Sequence, residues 1–246
     1  MADTKKIRFF MPYKCSQIIT MLEGHGFEFT EEFLVSDFTV FKGGADVPAH
    51  FAGYPNHKQN ISRTSLDWTR TVKERKLFFS NVTRGKLNVG ICRGAQAMWA
   101  FSGGRLYKDV NHHQGTHVAF EVPPTRNMAA YASTLIDTSK VRQFPVTSTH
   151  HQMCQTWSGP PIPFEYAPLL VANMTTEREN WHGIKERSCN PKVPQRHHRV
   201  MDLEAYYIPS TQAFGVQFHP EYYTLQNEHT DWFLENLDAV LYEMGV

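Results

Sequence analysis

One short segment, VGICRGAQ at residues 89–96, constrains the fold more than any other part of the chain. An apolar run suited to a buried strand stops abruptly at Cys92, which stands between Gly90 and Gly94 and is followed by helix-favouring residues. The pattern predicts a strained strand–turn–helix elbow that holds one side chain at the edge of a sheet. Glycines suit both flanking positions, because the elbow brings its backbone so close to strand and substrate that larger residues would clash.

A second segment, GVQFHPE at residues 215–221, predicts a strand that delivers His219 and Glu221 to the same sheet edge. A cysteine with a distant histidine and an acid is the residue set of thiol nucleophilic catalysis. The helix start favours the thiolate of Cys92, and the amide of Arg93 can face a developing oxyanion. His219 would take the thiol proton and later protonate the leaving amine, while Glu221 orients the imidazole. The alternative is a buried structural cysteine beside an unrelated histidine, which the glycines and the remote HPE motif disfavour.

Strand patterns alternate with helix patterns through the first half of the chain. The predicted strands there are Ile7–Met11, Phe38–Phe41 and Leu87–Ile91, and the predicted helices are Ser16–Leu22, Leu66–Arg84 and Ala95–Ser102. The second half predicts a C-terminal amphipathic helix and short strands at His117–Val122, Ser133–Asp137, Val146–Thr149, Ala167–Asn173, Met201–Ile208 and Ala213–Phe218. We therefore expect a single α/β domain over residues 1–246, with a mainly parallel central sheet flanked by helices. In such sheets, function gathers at the carboxyl ends of the strands.

Composition disfavours several classes of function. A net charge of +1 gives no electrostatic basis for binding nucleic acid or an anionic membrane. No segment approaches the ~20 apolar residues of a membrane span. The four cysteines are scattered without a CxxC pair, which disfavours a disulfide scaffold or structural zinc and indicates a reducing cytoplasm. No phosphate-binding loop or dinucleotide fingerprint occurs, so we expect no cofactor, and an ATP-dependent step would need another polypeptide.

Two polar segments leave alternatives open. Residues 175–199 carry six Lys or Arg against three Glu without apolar periodicity, which suits a solvated insertion or a lid that contacts substrate or a partner. We expect this insertion at the surface, over or beside the mouth of the active site. Residues 111–117 include His113 and His117, but Gly115 disfavours the helix that would align them, and zinc would need further ligands. We therefore expect partly exposed loop histidines and no metal site.

Several segments together resemble a known family. GICRGAQ at residues 90–96 and FHPE at residues 218–221 resemble the class I glutamine amidotransferases, which carry a Cys-His-Glu triad. The likeness is closest to the γ-glutamyl hydrolase branch, the peptidase C26 group, which includes γ-glutamyl-γ-aminobutyrate hydrolases. Further similar segments are GGADVP at residues 43–48, SGGRLYKDV at residues 102–110 and TSTHHQ at residues 147–152. The resemblance implies a flavodoxin-like amidotransferase domain with extra antiparallel strands.

The resemblance also implies roles for individual residues. Cys92 would attack a γ-glutamyl amide of a small-molecule substrate and form a thioester, with His219 and Glu221 completing the triad, and water would then release glutamate. Backbone amides near Gly44 and at Arg93 would form the oxyanion hole. The glutamyl amino and carboxylate groups would be held with the help of Gln96, His150, His151 and Gln152.

The resemblance leaves three functions open. The chain could be a free-standing hydrolase, a glutaminase subunit that supplies ammonia to a separate synthetase or ligase partner, or a non-catalytic binding module, which the intact triad disfavours. The chain also departs from the family pattern. The insertion at residues 175–199 is unusual, a short hairpin ending in an Asp-Gly turn is missing there, and Thr149 stands where Tyr or Leu is more common.

Overall fold

A computed structural model of the protein describes residues 6–57, 68–123, 139–156, 162–172, 177–187, 202–222 and 227–246. Its helices are α1 (Ser16–His25), α2 (Trp68–Arg84), α3 (Arg93–Phe101) and α4 (Glu228–Glu243). Its strands are β1 (Arg8–Phe10), β2 (Glu28–Thr30), β3 (Phe38–Phe41), β4 (Leu87–Ile91), β5 (Arg105–Tyr107), β6 (Asp109–Val110), β7 (Gln114–Glu121), β8 (Gln143–Thr149), β9 (Met153–Gln155), β10 (Ala167–Ala172), β11 (Glu177–Glu179), β12 (Lys185–Arg187), β13 (Asp202–Ile208) and β14 (Ala213–Val216).

A nine-stranded sheet in the order β2-β1-β3-β4-β14-β13-β10-β7-β8 organises these elements. Five neighbouring strands are parallel to one another, namely β2, β1, β3, β4 and β14. The other four continue the sheet with antiparallel pairing, in the order β13, β10, β7 and β8. This arrangement confirms the predicted α/β fold with a central sheet flanked by helices and extra antiparallel strands. Because β4 and β14 are adjacent and parallel, their carboxyl ends deliver Cys92 and His219 to the same edge of the sheet.

The two faces of the sheet carry separate hydrophobic cores. Helices α1 and α4 cover one face, where Leu22 and Trp232 pack against alternate strand residues such as Val89. Helices α2 and α3 cover the other face, where Phe78 and Trp99 are fully buried. Burial on both faces explains why the central strands are continuous apolar runs in the sequence.

Most predicted elements are present with shifted ends. Helix α1 extends to His25 instead of ending at Leu22, because Gly24 is helical and Gly26, with φ of 114°, terminates the helix. The strands β5, β6 and β9 form small separate pairings that the periodicity alone does not predict. The predicted strand Ser133–Asp137 and the first residues of the predicted helix at Leu66 lie outside the described residues.

The described part of the 175–199 insertion is a hairpin, which a polar sequence without apolar periodicity does not predict. Strands β11 and β12 pair antiparallel, and β11 also pairs with β6. Asn180 closes the turn by accepting hydrogen bonds from the amides of His182 and Ile184, and Gly183 has a φ of 75°. An Asn and a Gly therefore form the turn of this hairpin. Strand β6 joins this hairpin to His151, whose carbonyl accepts a hydrogen bond from the Val110 amide.

His113 and His117 are buried, so the prediction of partly exposed loop histidines was wrong for both. Carboxylates on β13, far away in sequence, pair with both buried imidazoles.

Among the helices of the described residues, none has the length and apolar character needed to cross a membrane.

Candidate active site

Cys92 forms a strained elbow between β4 and α3. Its φ of 52° and ψ of −113° lie outside the regions that non-glycine residues normally occupy. The Cys92 amide donates to the Val216 carbonyl at 2.7 Å, and its carbonyl accepts from the Gln96 amide at 3.1 Å. These bonds to the neighbouring strand and to the helix hold the strained backbone in place, as the sequence pattern predicts.

The glycines on either side of Cys92 are required by close backbone contacts. A Cβ atom at Gly90 would lie 2.6 Å from the amide nitrogen of Ala95, and one at Gly94 would lie 1.9 Å from the Phe41 carbonyl oxygen. Helix α3 therefore packs directly on β4 and β3. The predicted clash at both positions is confirmed.

Replacing Gly94 with alanine is expected to destabilise the protein by about 1–3 kcal/mol or more, because the added methyl group meets rigid backbone. Gly24→Ala is the matched control: Gly24 is exposed in α1 with open space around it, and this change should stabilise the protein by about 0.5–1 kcal/mol. Urea denaturation measures both free energies of unfolding. Equal values for the two variants would contradict the packing described for the elbow.

His219 is held on four sides. Its Nδ1 lies 2.8 Å from the Glu221 Oε1, and its other nitrogen, Nε2, lies 3.1 Å from the Thr149 hydroxyl. The ring of Tyr222 stacks on the imidazole with 4.1 Å between centroids and 5° between planes. Cys92 lies on the remaining side, close enough to interact electrostatically with the imidazole. The structure therefore brings Cys92, His219 and Glu221 together in the predicted order.

The electrostatics of this group favour a charged imidazole. Burial opposes the charge on His219, but hydrogen bonds and charges from Cys92 and Glu221 outweigh it and raise the pKa of His219 to about 10. For the neutral Tyr222 hydroxyl the effect of burial is the opposite, and burial raises its pKa, with smaller contributions from the charges of Glu221 and the nearby cysteines. The imidazole of His219 can therefore accept the proton of the thiol and hold it as a charged acid.

The raised pKa of His219 predicts a pH dependence of stability. A pKa raised from 6.5 to about 10 on folding gives a stabilisation that is complete below pH 6.5 and is lost as the pH rises toward 10. Across that interval, the free energy of unfolding of the wild type should fall more steeply than that of His219→Gln. Urea denaturation at a series of pH values measures the two slopes. Parallel slopes would show that the charge on His219 does not contribute to folding.

A glycine loop after β3 lies beside Cys92 and His219. A Cβ atom at Gly43 would lie 2.9 Å from His219 Cε1 and 3.6 Å from Cys92 Cβ. Gly44 has a φ of 152°, and a Cβ atom there would lie 2.2 Å from a guanidinium nitrogen of Arg70. Gly43 therefore lets the loop approach Cys92 and His219, and Gly44 lets it approach the Arg70 guanidinium. The predicted oxyanion-hole residues Gly44 and Arg93 line one cavity with Cys92.

A buried ion-pair network on α2 supports both the loop and the elbow. The Glu74 carboxylate pairs with Arg93 and, at 2.7 Å, with Arg70. The Arg70 guanidinium donates to the carbonyls of Lys42 at 2.6 Å and Gly43 at 3.1 Å. The side chain of Arg93 is therefore a structural anchor, while only its backbone amide remains for an oxyanion. Nothing in the sequence pattern indicates this role of Glu74.

The four predicted substrate-binding residues all line a cavity of about 370 Å³ around Cys92. Gln96 Nε2 donates to the Gln152 carbonyl at 2.7 Å and to Gln217 Oε1 at 3.1 Å. Both polar atoms of the Gln152 side chain bind the backbone of Val47, at 2.8 and 3.2 Å. These contacts fix the cavity wall, so the side chain of Gln152 shapes the cavity more than it offers free donors.

The two predicted histidines differ in environment. His150 is buried, its Nδ1 bonds the Gln152 carbonyl at 2.9 Å, and burial lowers its pKa to about 3. His151 is partly exposed at the mouth, between Asp46 at 3.0 Å and Asp109 at 3.2 Å. The hydrogen bond to Asp46, aided by the charges of both carboxylates, raises the pKa of His151 against the effect of burial. Asp46 and Thr149 are site residues whose contacts the sequence analysis missed, although both stand within recognised motifs.

Comparison with known proteins places this geometry in a family. The model of the Peptidase C26 family matches residues 31–161, which include the glycine loop, the elbow and the segment from Thr147 to Gln152. The chain belongs to the Peptidase C26 family. A search of curated proteins found no match.

Solved structures show the same fold. A candidate GMP synthase subunit from Thermoplasma acidophilum superposes with a TM-score of 0.53 at 11% identity, covering 97% of this chain and 96% of that one. A glutamine amidotransferase from Thermotoga maritima gives a TM-score of 0.53 at 11% identity, covering 98% and 86%. The C26 protein therefore shares its fold with a known glutamine amidotransferase.

Proposed function

We propose that this C26 protein hydrolyses a γ-glutamyl amide bond of glutamine or a γ-glutamyl amine. The observation that carries the proposal is the grouping of Cys92 at a strained elbow with the hydrogen-bonded pair of His219 and Glu221, beside a glycine loop and inside one cavity. Each group has the position that thiol catalysis needs: a nucleophile, a base in contact with it, and an acid that orients the base.

The reaction follows from these positions. Because the charged His219 already holds the proton of the thiol, the Cys92 sulfur attacks the amide carbonyl as a thiolate, and the developing oxyanion faces the backbone at Arg93 and the glycine loop. His219 then protonates the leaving amine, and a glutamyl thioester remains on Cys92. Water adds to the thioester with His219 as base, which releases glutamate and restores the thiol. Glu221 keeps Nδ1 protonated, so that Nε2 faces the reacting atoms throughout.

The cavity supports a small polar substrate. Gln96, His150 and Gln152 line its wall, and the exposed mouth carries the pair of His151 and Asp46. A zwitterionic glutamyl group presents an ammonium and a carboxylate, which require an acceptor and a donor respectively. The carboxylate of Asp46 and the imidazole of His151, which pair with each other at the mouth, offer one of each.

Incubation with glutamine and a panel of γ-glutamyl amines, followed by enzymatic measurement of glutamate, tests this proposal. Asparagine is the matched control substrate, because it carries the same amide on a side chain one methylene shorter. Steady release of glutamate, with no hydrolysis of asparagine, is expected. Release from none of the γ-glutamyl compounds, by folded protein, would contradict a free-standing hydrolase and leave the glutaminase subunit and the binding module.

A second candidate function is that of a glutaminase subunit that passes ammonia to a separate synthetase or ligase. It is favoured by the near-complete overlap with the Thermoplasma protein, which is described as a candidate subunit of GMP synthase. Turnover by the protein alone supports the free-standing hydrolase. Turnover that appears only after a purified ATP-dependent synthetase is added supports the role in a two-protein amidotransferase.

A further inference from the structure

A buried cluster of metal-binding side chains lies outside the Cys92 machinery. His113 precedes β7, His117 lies on β7, and Glu204 lies on β13. Their side chains are 0%, 1% and 0% exposed. One potential ligand atom from each residue lies within 4.8 Å of the others. Strand β10 separates β7 from β13 in the sheet, so the cluster joins two strands that do not pair.

The distances within the cluster match those between ligands of one metal ion. Glu204 Oε1 lies 3.1 Å from His113 Nδ1 and 3.1 Å from His117 Nε2. A tetrahedral zinc ion with bonds of about 2.0–2.2 Å holds neighbouring ligand atoms roughly 3.3–3.6 Å apart. The two histidine nitrogens lie within 4.8 Å of each other, so an approach of up to about 1.5 Å between them would admit the ion.

The other nitrogen of His113 has the partner that metal-bound histidines usually have. His113 Nε2 lies 3.0 Å from Asp202 Oδ2, and Asp202 is itself paired with the buried Arg178. A carboxylate on the far side of an imidazole fixes the tautomer, so that the nitrogen facing the metal carries the lone pair. In this cluster the nitrogen left facing Glu204 is Nδ1.

Four buried polar atoms in or beside the cluster have no hydrogen-bond partner among the described residues. They are His113 Nδ1, His117 Nδ1, Glu204 Oε2 and His150 Nε2. The ring of His150 stacks on that of His113 with 5.0 Å between centroids, and His150 also lines the cavity around Cys92. An unpaired buried polar atom is costly, and a metal ion would give such atoms a partner.

We propose that His113, His117 and Glu204 bind one divalent transition-metal ion, with Zn²⁺ as the best match to two imidazoles and one carboxylate. The ion would tie β7 to β13 behind the wall of the catalytic cavity that His150 forms. The sequence analysis expected no metal, because the third ligand lies 87 residues from His117. The competing account is a proton on His113 that bridges Asp202 and Glu204 without any metal.

Metal stoichiometry on the full chain distinguishes these accounts. The purified protein is stripped with a chelator, dialysed against Zn²⁺ at a fixed free concentration, and analysed by elemental mass spectrometry. We expect one equivalent of Zn²⁺ per chain, together with a rise in Tm on reloading. His117→Gln and Glu204→Gln should each lose this equivalent. His112→Asn is the control, because His112 is exposed next to the cluster and its loss should leave the stoichiometry unchanged.

Cobalt substitution identifies the ligands even if the variants fail to fold. Co²⁺ bound to the wild type should give the visible bands of a four- or five-coordinate nitrogen and oxygen site, without a thiolate charge-transfer band. A strong charge-transfer band would assign the metal to a cysteine and overturn the proposal. So would the absence of stoichiometric binding by stripped, folded protein, in which case the proton-bridged network is the correct account.

Discussion

Replacing Cys92 with alanine is expected to lower glutamate release by roughly 10³-fold or more, because triad members act as a unit and the proposed thioester forms on the Cys92 sulfur. The change removes one sulfur atom from a site held mainly by backbone hydrogen bonds and packed helices, so the variant should remain folded. Initial rates at saturating substrate measure the loss, and circular dichroism measures the fold.

The matched control is Cys154→Ala, since Cys154 is a buried thiol on β9 that does not line the catalytic cavity. Its activity should stay within a few-fold of the wild type. Alkylation gives an independent test, because Cys15 lines the same cavity and is more exposed than Cys92. Exposure alone would favour Cys15, whereas contact with His219 favours Cys92. Labelling of Cys15 first, with Cys92 unmodified, would contradict the role given to Cys92.

Sequence could predict the arrangement of Cys92, His219 and Glu221 because each lies in a short motif that carries its own geometry. Two glycines permit one conformation at the elbow, and a spacing of two residues on an extended segment places His219 and Glu221 together. The parallel strands β4 and β14 then bring both motifs to one edge. These motifs, with the rule that sites in parallel sheets lie at the carboxyl ends of the strands, were sufficient to predict the grouping of the three residues.

No sequence motif predicts the contacts between residues that are far apart in the chain. Glu74 lies 19 residues before Arg93 on a helix whose apolar spacing predicts only packing, and its pairing depends on how α2 docks on the sheet. The pairing of His117 with Glu204 spans 87 residues and depends on where β10 ends. The hairpin of β11 and β12 is short and polar, so its stability depends on pairing with β6 and not on an apolar pattern. Tertiary contacts decide such features, and periodicity does not report them.

The neutral replacement Glu74→Gln is expected to lower the free energy of unfolding by about 3–5 kcal/mol, because it removes the buried carboxylate that pairs with two buried guanidinium groups. The same change should reduce turnover. Arg70 holds the carbonyls of Lys42 and Gly43 while Arg93 begins helix α3, so both sides of the reacting centre depend on one carboxylate. Small displacements of this kind weaken catalysis strongly.

Glu235→Gln is the matched control for Glu74→Gln, because Glu235 forms an exposed ion pair with Arg142 at 2.9 Å. Exposed pairs contribute about 0–1 kcal/mol, so this variant should unfold almost as the wild type does. Urea denaturation compares the two directly, and Glu74→Asp keeps the charge if the glutamine variant does not fold. Similar losses for Glu74→Gln and Glu235→Gln would mean that the buried network does not hold the elbow. A large loss for Glu74→Gln alone, with partial recovery in Glu74→Asp, would assign the support of the elbow and the glycine loop to this single carboxylate.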